Sequence, residues 1–594
     1  MPHRLEAKPR ETLRIMQIDV TAPAPQAVVL PEGYYHTHFL LLVGTAGSRY
    51  ADLLTESERA FVSDFFSLPC DAQKLFVRLT NRVGPWFVVA KLCYPEIGDC
   101  AVATRTLADR GFIEGIKSCT AAESLGTLTV AELKRAFGKV RGAAGRDALV
   151  DAIVATFDEG EILLRVRARV GEIVRPCHGV TVRLLQFLFF GNTGQGMTDF
   201  VLADMGLMRY ETYALDASTR AFSCRVSADH ALVARQAYDG LFEALEIGRE
   251  KWTVEALLEA RDVALSRASE FHPRAQRRLS KTLNLLGNRL ERAGACAEAL
   301  PCYVASVLPP ARERVVRLLE KRGDREGAVA LALETLASSL DEGELAFAYR
   351  YLVKTARIPP ASLPLPACEA DLMRYFLGTK NTLDAWPQRK LDLPPTLRRI
   401  GVEEATLFAL SDEGYEGVHS ENLPWCALFG LVFWEEIFAP VPGAFHHPYQ
   451  LGPSDASSPE FRAARADACE ATLAAFTCAG FDMGLLEARW RAKEGIANRW
   501  IHWPALTWDL MEKFIAGCPR QGLALVLARM LRHPGRFHSG FPDLFLWRDG
   551  KAEFWEVKGP GDQLRPHQKS WLAFLGNAGL SVGVCVVEFS PGRD

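Results

Sequence analysis

The sequence lacks the paired cysteines of a zinc-binding module. It has fourteen cysteines but no Cys-x-x-Cys pair, and the closest two, Cys296 and Cys302, have no His-x-x-x-His companion. This spacing excludes the usual zinc fingers. Scattered thiols of this kind are typical of a reducing compartment, where they pack as small hydrophobic side chains.

Long apolar runs are also absent. The stretch Phe187–Phe190 is far shorter than the roughly 20 residues that a membrane-spanning helix needs. The first residues, MPHRLEAKPRETLR, carry charges where a secretory signal needs an apolar segment. We therefore expect a cytoplasmic protein that has no membrane partner.

A surplus of positive charge is missing as well. The net charge is −3 and the pI is about 6.5, which for the whole chain argues against a nucleic-acid-binding protein. Any nucleic-acid binding would have to depend on local basic segments. The 594 residues suffice for roughly three to five domains. Residues 1–30, polar and then Pro-rich, predict a loosely ordered lead-in.

Two N-terminal segments predict small helical modules. From Tyr34 to about Ile116, apolar residues at helical spacings have the rhythm of a winged helix, and a helical bundle without DNA contact would have the same rhythm. Residues 124–156 predict helix, polar loop and helix, like a SAP-type hairpin. Its basic residues lie outside the apolar face and would either contact DNA or simply be solvated: Lys134, Arg135, Lys139, Arg141 and Arg146.

Residues 163–170, LLRVRARV, alternate strictly and predict a β-strand. One face of that strand would carry Arg165, Arg167 and Arg169. Three aligned guanidinium groups suit a phosphate backbone. An exposed edge strand that uses charge against aggregation is the alternative.

Residues 225–355 predict helical repeats that resemble tetratricopeptide helix pairs, with Gly at a turn. On one such helix Arg312, Arg314 and Arg317 form a basic patch. The patch could hold a phosphate, or it could pair with Glu313 and Glu320. The Pro-rich stretch 357–369, RIPPASLPLPACE, marks the expected boundary of the next domain.

The strongest chemical signal is FPDLFLWRDGKAEFWEVKGP, residues 541–560. Asp549-Gly550 predicts a two-residue hairpin turn between two strands. That register places Asp543 opposite Glu556, with Lys558 on the same face. Adjacent carboxylates repel unless a divalent cation neutralises them, and hard oxygen ligands suit Mg²⁺ or Mn²⁺. The alternative is an Asp that caps a strand and a Glu–Lys ion pair on a wet face.

The segment after the hairpin predicts one helix and one further strand. Pro566 suits the start of a helix and Gly579 its end, and SVGVCVVEF predicts a final strand. Gln568 would lie on the same helix face as Trp571. Strand, strand, helix and strand is the core order of the PD-(D/E)xK nucleases, whose Pro-Asp and Glu-x-Lys pattern this chain carries.

Three C-terminal segments make the resemblance more specific: GYEGVHSENLPWCALFGLVFWEEIF, HSGFPDLFLW and EFWEVKGPGDQLRPHQKSWLAFL. They resemble the Fanconi-associated nuclease family, whose catalytic module is a virus-type replication-repair (VRR) nuclease domain. YYHTHFLLLV and DAQKLFVRLTNRVGPWF resemble the N-terminal DNA-binding region of that family. The resemblance covers the chain from about Tyr34 to Phe589.

The resemblance implies a multidomain, mainly α fold. Residues 31–225 would form a winged-helix and SAP-like DNA-binding region, 226–360 tetratricopeptide-like helices, and 370–594 an α/β PD-(D/E)xK nuclease core. The implied activity is that of a 5′-flap endonuclease and 5′-to-3′ exonuclease in interstrand crosslink repair. A bacterial member of the family would work at the nucleoid on branched DNA. Its oligomeric state and recruiting partners are left open by the sequence.

The resemblance also assigns residues. It implies that Glu421, on a helix upstream of the hairpin, joins Asp543, Glu556 and the Val557 carbonyl as ligands of one or two Mg²⁺ or Mn²⁺ ions. Glu435 and Glu436 compete with Glu421 for that role. Lys558 would orient the attacking water, and Gln568 would position Lys558 or the scissile phosphate. A pocket for a terminal 5′ phosphate would lie around Arg312, Arg314 and Arg317.

Two departures from the family pattern stand out. Gln563 replaces the basic residue that often follows the Asp of GPxD, although Arg565 and Lys569 are close enough in sequence to substitute as DNA contacts. The ubiquitin-binding zinc finger of animal members is absent, so recruitment through ubiquitin is not expected. A non-catalytic DNA-binding or protein-interaction scaffold and a Holliday-junction resolvase are the alternative functions.

Overall fold

The structure is a computed structural model that describes residues 33–82, 84–138, 145–192, 200, 201, 206, 208–244, 252–267, 273–339, 341–363, 386–478 and 481–590. The described residues divide into two compact units, one within 27–207 and 215–236 and the other within 208–214 and 237–594. The predicted lead-in, residues 1–30, lies outside the described residues, as do Lys139 and Arg141.

The first unit is helical, with one small antiparallel sheet of strand order β1–β3–β2. The strands are β1 (Phe87–Val88), β2 (Ile113–Gly115) and β3 (Ile173–Pro176). Three of the helices begin with a Thr–Glu capping box, at Thr55, Thr120 and Thr129. The helices are Tyr34–Arg49, Glu56–Ser67, Cys70–Thr80, Cys100–Asp109, Ala121–Leu125, Val130–Phe137, Arg146–Thr156, Glu159–Val170, Gly179–Phe190 and Arg225–Phe242.

The predicted strand at 163–170 is wrong, because these residues end the Glu159–Val170 helix. Asp158 caps this helix by accepting a hydrogen bond from the Glu161 amide. The buried residues Ile162, Val166 and Val170 recur every four positions, which is the helical period. They pack into the same core as the two helices of the predicted SAP-like hairpin. The three arginines therefore do not share one face.

The second unit begins with the predicted helical repeats. Gly294 and Gly323 adopt positive φ at turns between successive helices, where residues with a Cβ are disfavoured. The predicted boundary stretch 357–369 is described only as far as Leu363. The repeat helices are Val254–Ser266, Pro273–Arg292, Cys296–Val304, Ala311–Lys321, Arg325–Ser338 and Glu342–Arg350.

The C-terminal part is built on a five-stranded mixed sheet of order β4–β8–β7–β6–β5. The strands are β4 (Gln388–Leu393), β5 (Glu416–His419), β6 (Leu544–Arg548), β7 (Lys551–Lys558) and β8 (Ser581–Phe589). The accompanying helices are Val402–Ser411, Leu423–Val432, Trp434–Ile437, Glu460–Ala463, Ala466–Thr477, Met483–Lys493, Trp508–Ala516, Arg520–Arg532 and Pro566–Asn577.

The predicted hairpin and its register are confirmed. β6 and β7 pair antiparallel with Arg548 opposite Lys551, and Asp549 and Gly550 form the turn with positive φ. The Pro566–Asn577 helix and β8 follow as predicted, and β8 runs parallel to β7 at the centre of the sheet. The residues at the C-terminal end of β7, Glu556, Val557 and Lys558, are buried.

No single helix in the described part of the chain is long and apolar enough to cross a membrane. Two helices joined by a 109° bend, Trp508–Ala516 and Arg520–Arg532, together have the length and apolar composition of a membrane span.

Candidate active site

Asp543 lies directly before β6, at the end of the hairpin opposite the turn. Its carbonyl oxygen accepts hydrogen bonds from the amides of Ser420 and Glu421, both at 3.0 Å. Its carboxylate accepts a 2.7 Å hydrogen bond from the Val557 amide on β7. Three separate segments of the chain, around 420, 543 and 557, are therefore joined at this residue.

Glu556 is the most enclosed of the candidate residues, with 0% of its surface exposed. Its Oε1 accepts hydrogen bonds from Lys558 Nζ and from Gln568 Nε2, both at 2.5 Å. Its Oε2 is buried and has no hydrogen-bond partner among the described residues. A buried carboxyl oxygen without a hydrogen-bond partner destabilises the folded state unless it binds a proton or a cation.

Burial changes the acidity of both carboxyl groups. Burial first, and then the nearby Asp543 carboxylate, raise the pKa of Glu556 to about 8. Burial also raises the pKa of Asp543 above its ordinary value, against the opposing effects of the Val557 amide and Lys558. Without a cation the pair keeps a proton at neutral pH, because two bare carboxylates would repel.

Glu421 differs from its expected placement, since it lies two residues before the Leu423–Val432 helix and not on it. Its backbone is left-handed, with φ 43°. The side chain is 58% exposed, and Oε1 is 3.5 Å from His419 Nε2. Its amide hydrogen bond to Asp543 brings the backbone to the site, while the carboxylate remains turned to His419.

The donor set fits a divalent cation in chemistry. Asp543 and Glu556 offer oxygen ligands, and Glu556 Oε2 lacks a partner in the described chain. Within the described ranges, no three His, Cys, Asp or Glu side chains already stand close enough to form a cation site. Ligation by Glu421 would therefore require its side chain to rotate away from His419.

Three residues near the site escaped the sequence reasoning: Glu403, Glu404 and His419. Glu403 acts electrostatically on Asp543 and raises its pKa. His419 Nδ1 lies 3.6 Å from Glu404 Oε1, so His419 stands between Glu404 and Glu421. The sequence feature that could have indicated the two glutamates is the acidic first turn of the Val402–Ser411 helix, which precedes β5 in the chain.

The competing acid Glu436 is occupied elsewhere. It is buried, and its Oε1 accepts a 2.5 Å hydrogen bond from Thr472. Its backbone carbonyl accepts from the buried Arg465. Glu435 lies beside it and is exposed.

The proposed DNA contacts differ in how far their side chains are exposed. Arg565 is exposed at the start of the Pro566–Asn577 helix, and Lys569 is half-buried one turn later. Arg167 and Arg169 are exposed. Arg165 is instead engaged by Glu161 at 2.6 Å and lies 4.6 Å from the Phe157 ring centroid.

Of the three arginines assigned to a phosphate pocket, Arg312 lines a cleft. Arg314 pairs with Glu291 at 2.5 Å, and Arg317 pairs with Glu313 at 2.9 Å. The cleft has a volume of about 280 Å³. It is also lined by Arg277, Ser338 and Ser339, and by the acidic residues Asp341, Glu344 and Glu460. Arg312 donates a hydrogen bond to Ser338 Oγ at 2.9 Å, and its guanidinium lies 3.9 Å from Glu334 Oε1.

Comparison with known proteins agrees with this geometry. The FAN1, HTH domain family matches residues 33–114, and the VRR-NUC domain family matches residues 485–589. The chain is 32% identical over 577 residues to the Fanconi-associated nuclease 1 homolog of Pseudomonas aeruginosa, covering 96% of this chain and 98% of the relative. It is 26% identical to the rice homolog (Oryza sativa subsp. japonica), covering 93% of this chain and 62% of the relative.

A crystal structure of paFAN1 bound to 2nt 5′flap DNA with gap is similar in fold. Its TM-score is 0.74 at 29% sequence identity, and the match covers 96% of this chain and all of that one. The match to the VRR-NUC domain and the similarity to this solved structure define a divalent-metal-dependent nuclease of the VRR-NUC class. The chain belongs to the Fanconi-associated nuclease 1 family and is a structure-specific DNA nuclease.

Proposed function

We propose that this nuclease cuts DNA at 5′ flaps, as a 5′-flap endonuclease and 5′-to-3′ exonuclease in interstrand crosslink repair. The observation that supports it most is the buried Asp543–Glu556–Lys558 cluster, in a chain that resembles a relative crystallised with 5′ flap DNA. The proposal includes a cytoplasmic location at the nucleoid, where branched DNA forms.

Mg²⁺ or Mn²⁺ is the proposed cofactor, as one or two ions. Asp543, Glu556, the Val557 carbonyl and, after side-chain rotation, Glu421 would hold it. These are hard oxygen donors, which both ions prefer. When bound, the ion activates water and neutralises charge on the phosphate.

Lys558 and Gln568 then act on the reacting groups. The ammonium of Lys558 lies against Glu556, so it can orient a water beside the carboxylates and stabilise negative charge that develops on the phosphate. Gln568 holds Glu556 through its Nε2 and is itself fixed because its Oε1 accepts from the Arg565 amide. Gln568 thereby limits the rotation of the Glu556 carboxylate.

DNA binding would depend mainly on phosphate contacts, which carry no direct sequence information. Arg565 directly precedes the Pro566–Asn577 helix and Lys569 lies within it, while Arg167 and Arg169 are exposed on the Glu159–Val170 helix. Arg165 would contribute less, because Glu161 already neutralises it. We expect steep salt dependence and little sequence preference.

The test of the proposed function is cleavage of end-labelled 5′-flap, 3′-flap, four-way-junction and plain duplex DNA, each with Mn²⁺ or EDTA. We expect cutting of the 5′ flap in Mn²⁺ and none in EDTA. Preferential cutting of the four-way junction would favour the resolvase. Binding of all substrates without any cutting would favour the scaffold.

Terminal-phosphate binding is a separate proposal for the cleft beside Arg312. Replacing Arg312 by alanine should slow cleavage of a flap with a 5′ phosphate by about tenfold, since a charge-assisted hydrogen bond contributes about 1.5–3 kcal/mol. Cleavage of the 5′-hydroxyl flap should change little. Arg317→Ala, on the same helix but paired with Glu313, is the matched control. Equal rates on both flaps for Arg312→Ala and wild type would contradict the assignment.

A further inference from the structure

Three buried aromatic rings form a column beside the candidate active site. The ring centroids of Trp425 and Phe541 are 4.9 Å apart with an interplanar angle of 9°. Those of Phe541 and Trp571 are 3.9 Å apart at 25°. All three side chains are buried. We call Trp425, Phe541 and Trp571 the aromatic stack.

Each ring of the aromatic stack comes from a segment that carries a different site residue. Trp425 follows Glu421 by four residues, Phe541 precedes Asp543 by two, and Trp571 follows Gln568 by three. These segments are far apart in sequence. Only tertiary contacts can set their spacing, and the stack is where they meet.

Polar contacts fix the same three segments at the stack. The Phe541 amide donates to Asn422 Oδ1 at 3.2 Å, beside Glu421. Trp571 Nε1 donates to the Ser539 carbonyl at 3.0 Å. The guanidinium of the buried Arg529 lies 4.3 Å from the Trp571 ring centroid. The rings are therefore held in register as well as packed.

We propose that the aromatic stack is a positioning device that sets the relative placement of Glu421, Asp543 and Gln568. None of its rings contacts the reacting atoms in the role assigned above, so these are positioning residues. The inference rests on the proposed function of this site. A loosened stack should spoil the alignment of carboxylates and amide, which lowers turnover and metal affinity, while DNA binding persists.

The experiment compares Phe541→Leu with Phe545→Leu. Both residues lie two positions from Asp543 and are buried, but Phe545 is not a member of the stack: it packs against Phe514 and Phe554, which in turn contact Trp425. The same chemical change is thus made at equal sequence distance from the catalytic acid. Chemical unfolding of each variant measures how much stability each has lost.

Two readouts separate positioning from mere stability. We expect Phe541→Leu to lower kcat on the 5′ flap by about tenfold or more, with KM unchanged. Calorimetric titration with Mn²⁺ in the absence of DNA should show weaker binding. Phe545→Leu should retain kcat and Mn²⁺ affinity near wild type at comparable stability. Similar losses in both variants, or a change in KM alone, would overturn the proposal.

A second pair of variants, one of them conservative, tests the proposal if Phe541→Leu does not fold. Trp571→Phe keeps an aromatic ring in the stack, and we expect it to retain more kcat and Mn²⁺ affinity than Trp571→Leu. Equal values for these two would count against stacking. If wild type cuts no DNA but Mn²⁺ affinity still follows the stack, the proposed function fails and the positioning inference stands.

Discussion

Replacing Asp543 by asparagine will lower cleavage of 5′-flap DNA by about a thousandfold, equivalent to about 4 kcal/mol of transition-state stabilisation. The change keeps the side-chain shape and removes the charge that would hold the cation. Asp543 also joins three segments through its backbone carbonyl and its carboxylate. The carbonyl contacts survive the substitution, so the fold should persist.

Single-turnover cleavage and fluorescence-anisotropy binding measure the two parts of this result. We expect flap affinity to stay at the wild-type value, because phosphate contacts elsewhere supply it. Asp549→Asn, at the exposed turn of the same hairpin, is the matched control and should cut normally. Wild-type cleavage by Asp543→Asn would remove the residue from the active site.

The second large effect is the dependence of folding stability on pH that the Glu556 carboxyl group causes. In the metal-free protein its pKa is raised from 4.5 to about 8, so the folded state binds a proton that the unfolded state releases. The stability contributed by that proton is present below the unfolded value and is lost as the pH rises through the folded one. The change is on the order of a few kcal/mol.

Urea unfolding in EDTA at several pH values between about 5 and 9 tests this linkage. We expect wild type to lose stability relative to Glu556→Gln as the pH rises, since glutamine cannot ionise. Adding Mn²⁺ should restore wild-type stability at the high end and leave Glu556→Gln nearly unchanged. Parallel pH profiles for the two proteins would show that Glu556 is not a buried proton carrier.

The C-terminal hairpin could be derived from sequence because its signals are local. Asp549-Gly550 specifies the turn, and the turn fixes the register. Continued one pair past Leu544–Trp555, that register brings Asp543 to Glu556. The Pro566–Asn577 helix could also be predicted, because Pro566 marks its start and Gly579 its end. Short-range rules therefore predict the centre of the candidate site without any information on how β7 pairs with β8.

Two expectations failed because tertiary packing decided between local alternatives. The alternation of LLRVRARV is compatible with a strand, yet Val166 and Val170 are also one helical turn apart and share a core with the preceding helices. Glu421 was expected on a helix, but its amide bonds to the Asp543 carbonyl and holds it before the helix begins. Neither contact is visible in the sequence.

Burial was the least predictable property of the site. The hairpin register predicts that the side chains of Glu556 and Lys558 lie on one face of the strand, but it does not predict whether that face is exposed to solvent. The segments packed against that face decide it, since Gln568 of the Pro566–Asn577 helix contacts Glu556 and Asp543 contacts the Val557 amide. The resulting desolvation raises the pKa of Glu556, and that shift follows from the assembled sheet alone.

The left-handed backbone of Glu421 has a consequence for how this position can change over time. A φ of 43° is unfavourable for a residue with a Cβ and comfortable for glycine or asparagine. Folding alone would select one of those residues at 421, whereas the proposed chemistry requires a carboxylate there. We therefore expect natural variation at this single position to follow a conflict between stability and activity, with glycine or asparagine at 421 in copies of this nuclease that no longer cut DNA.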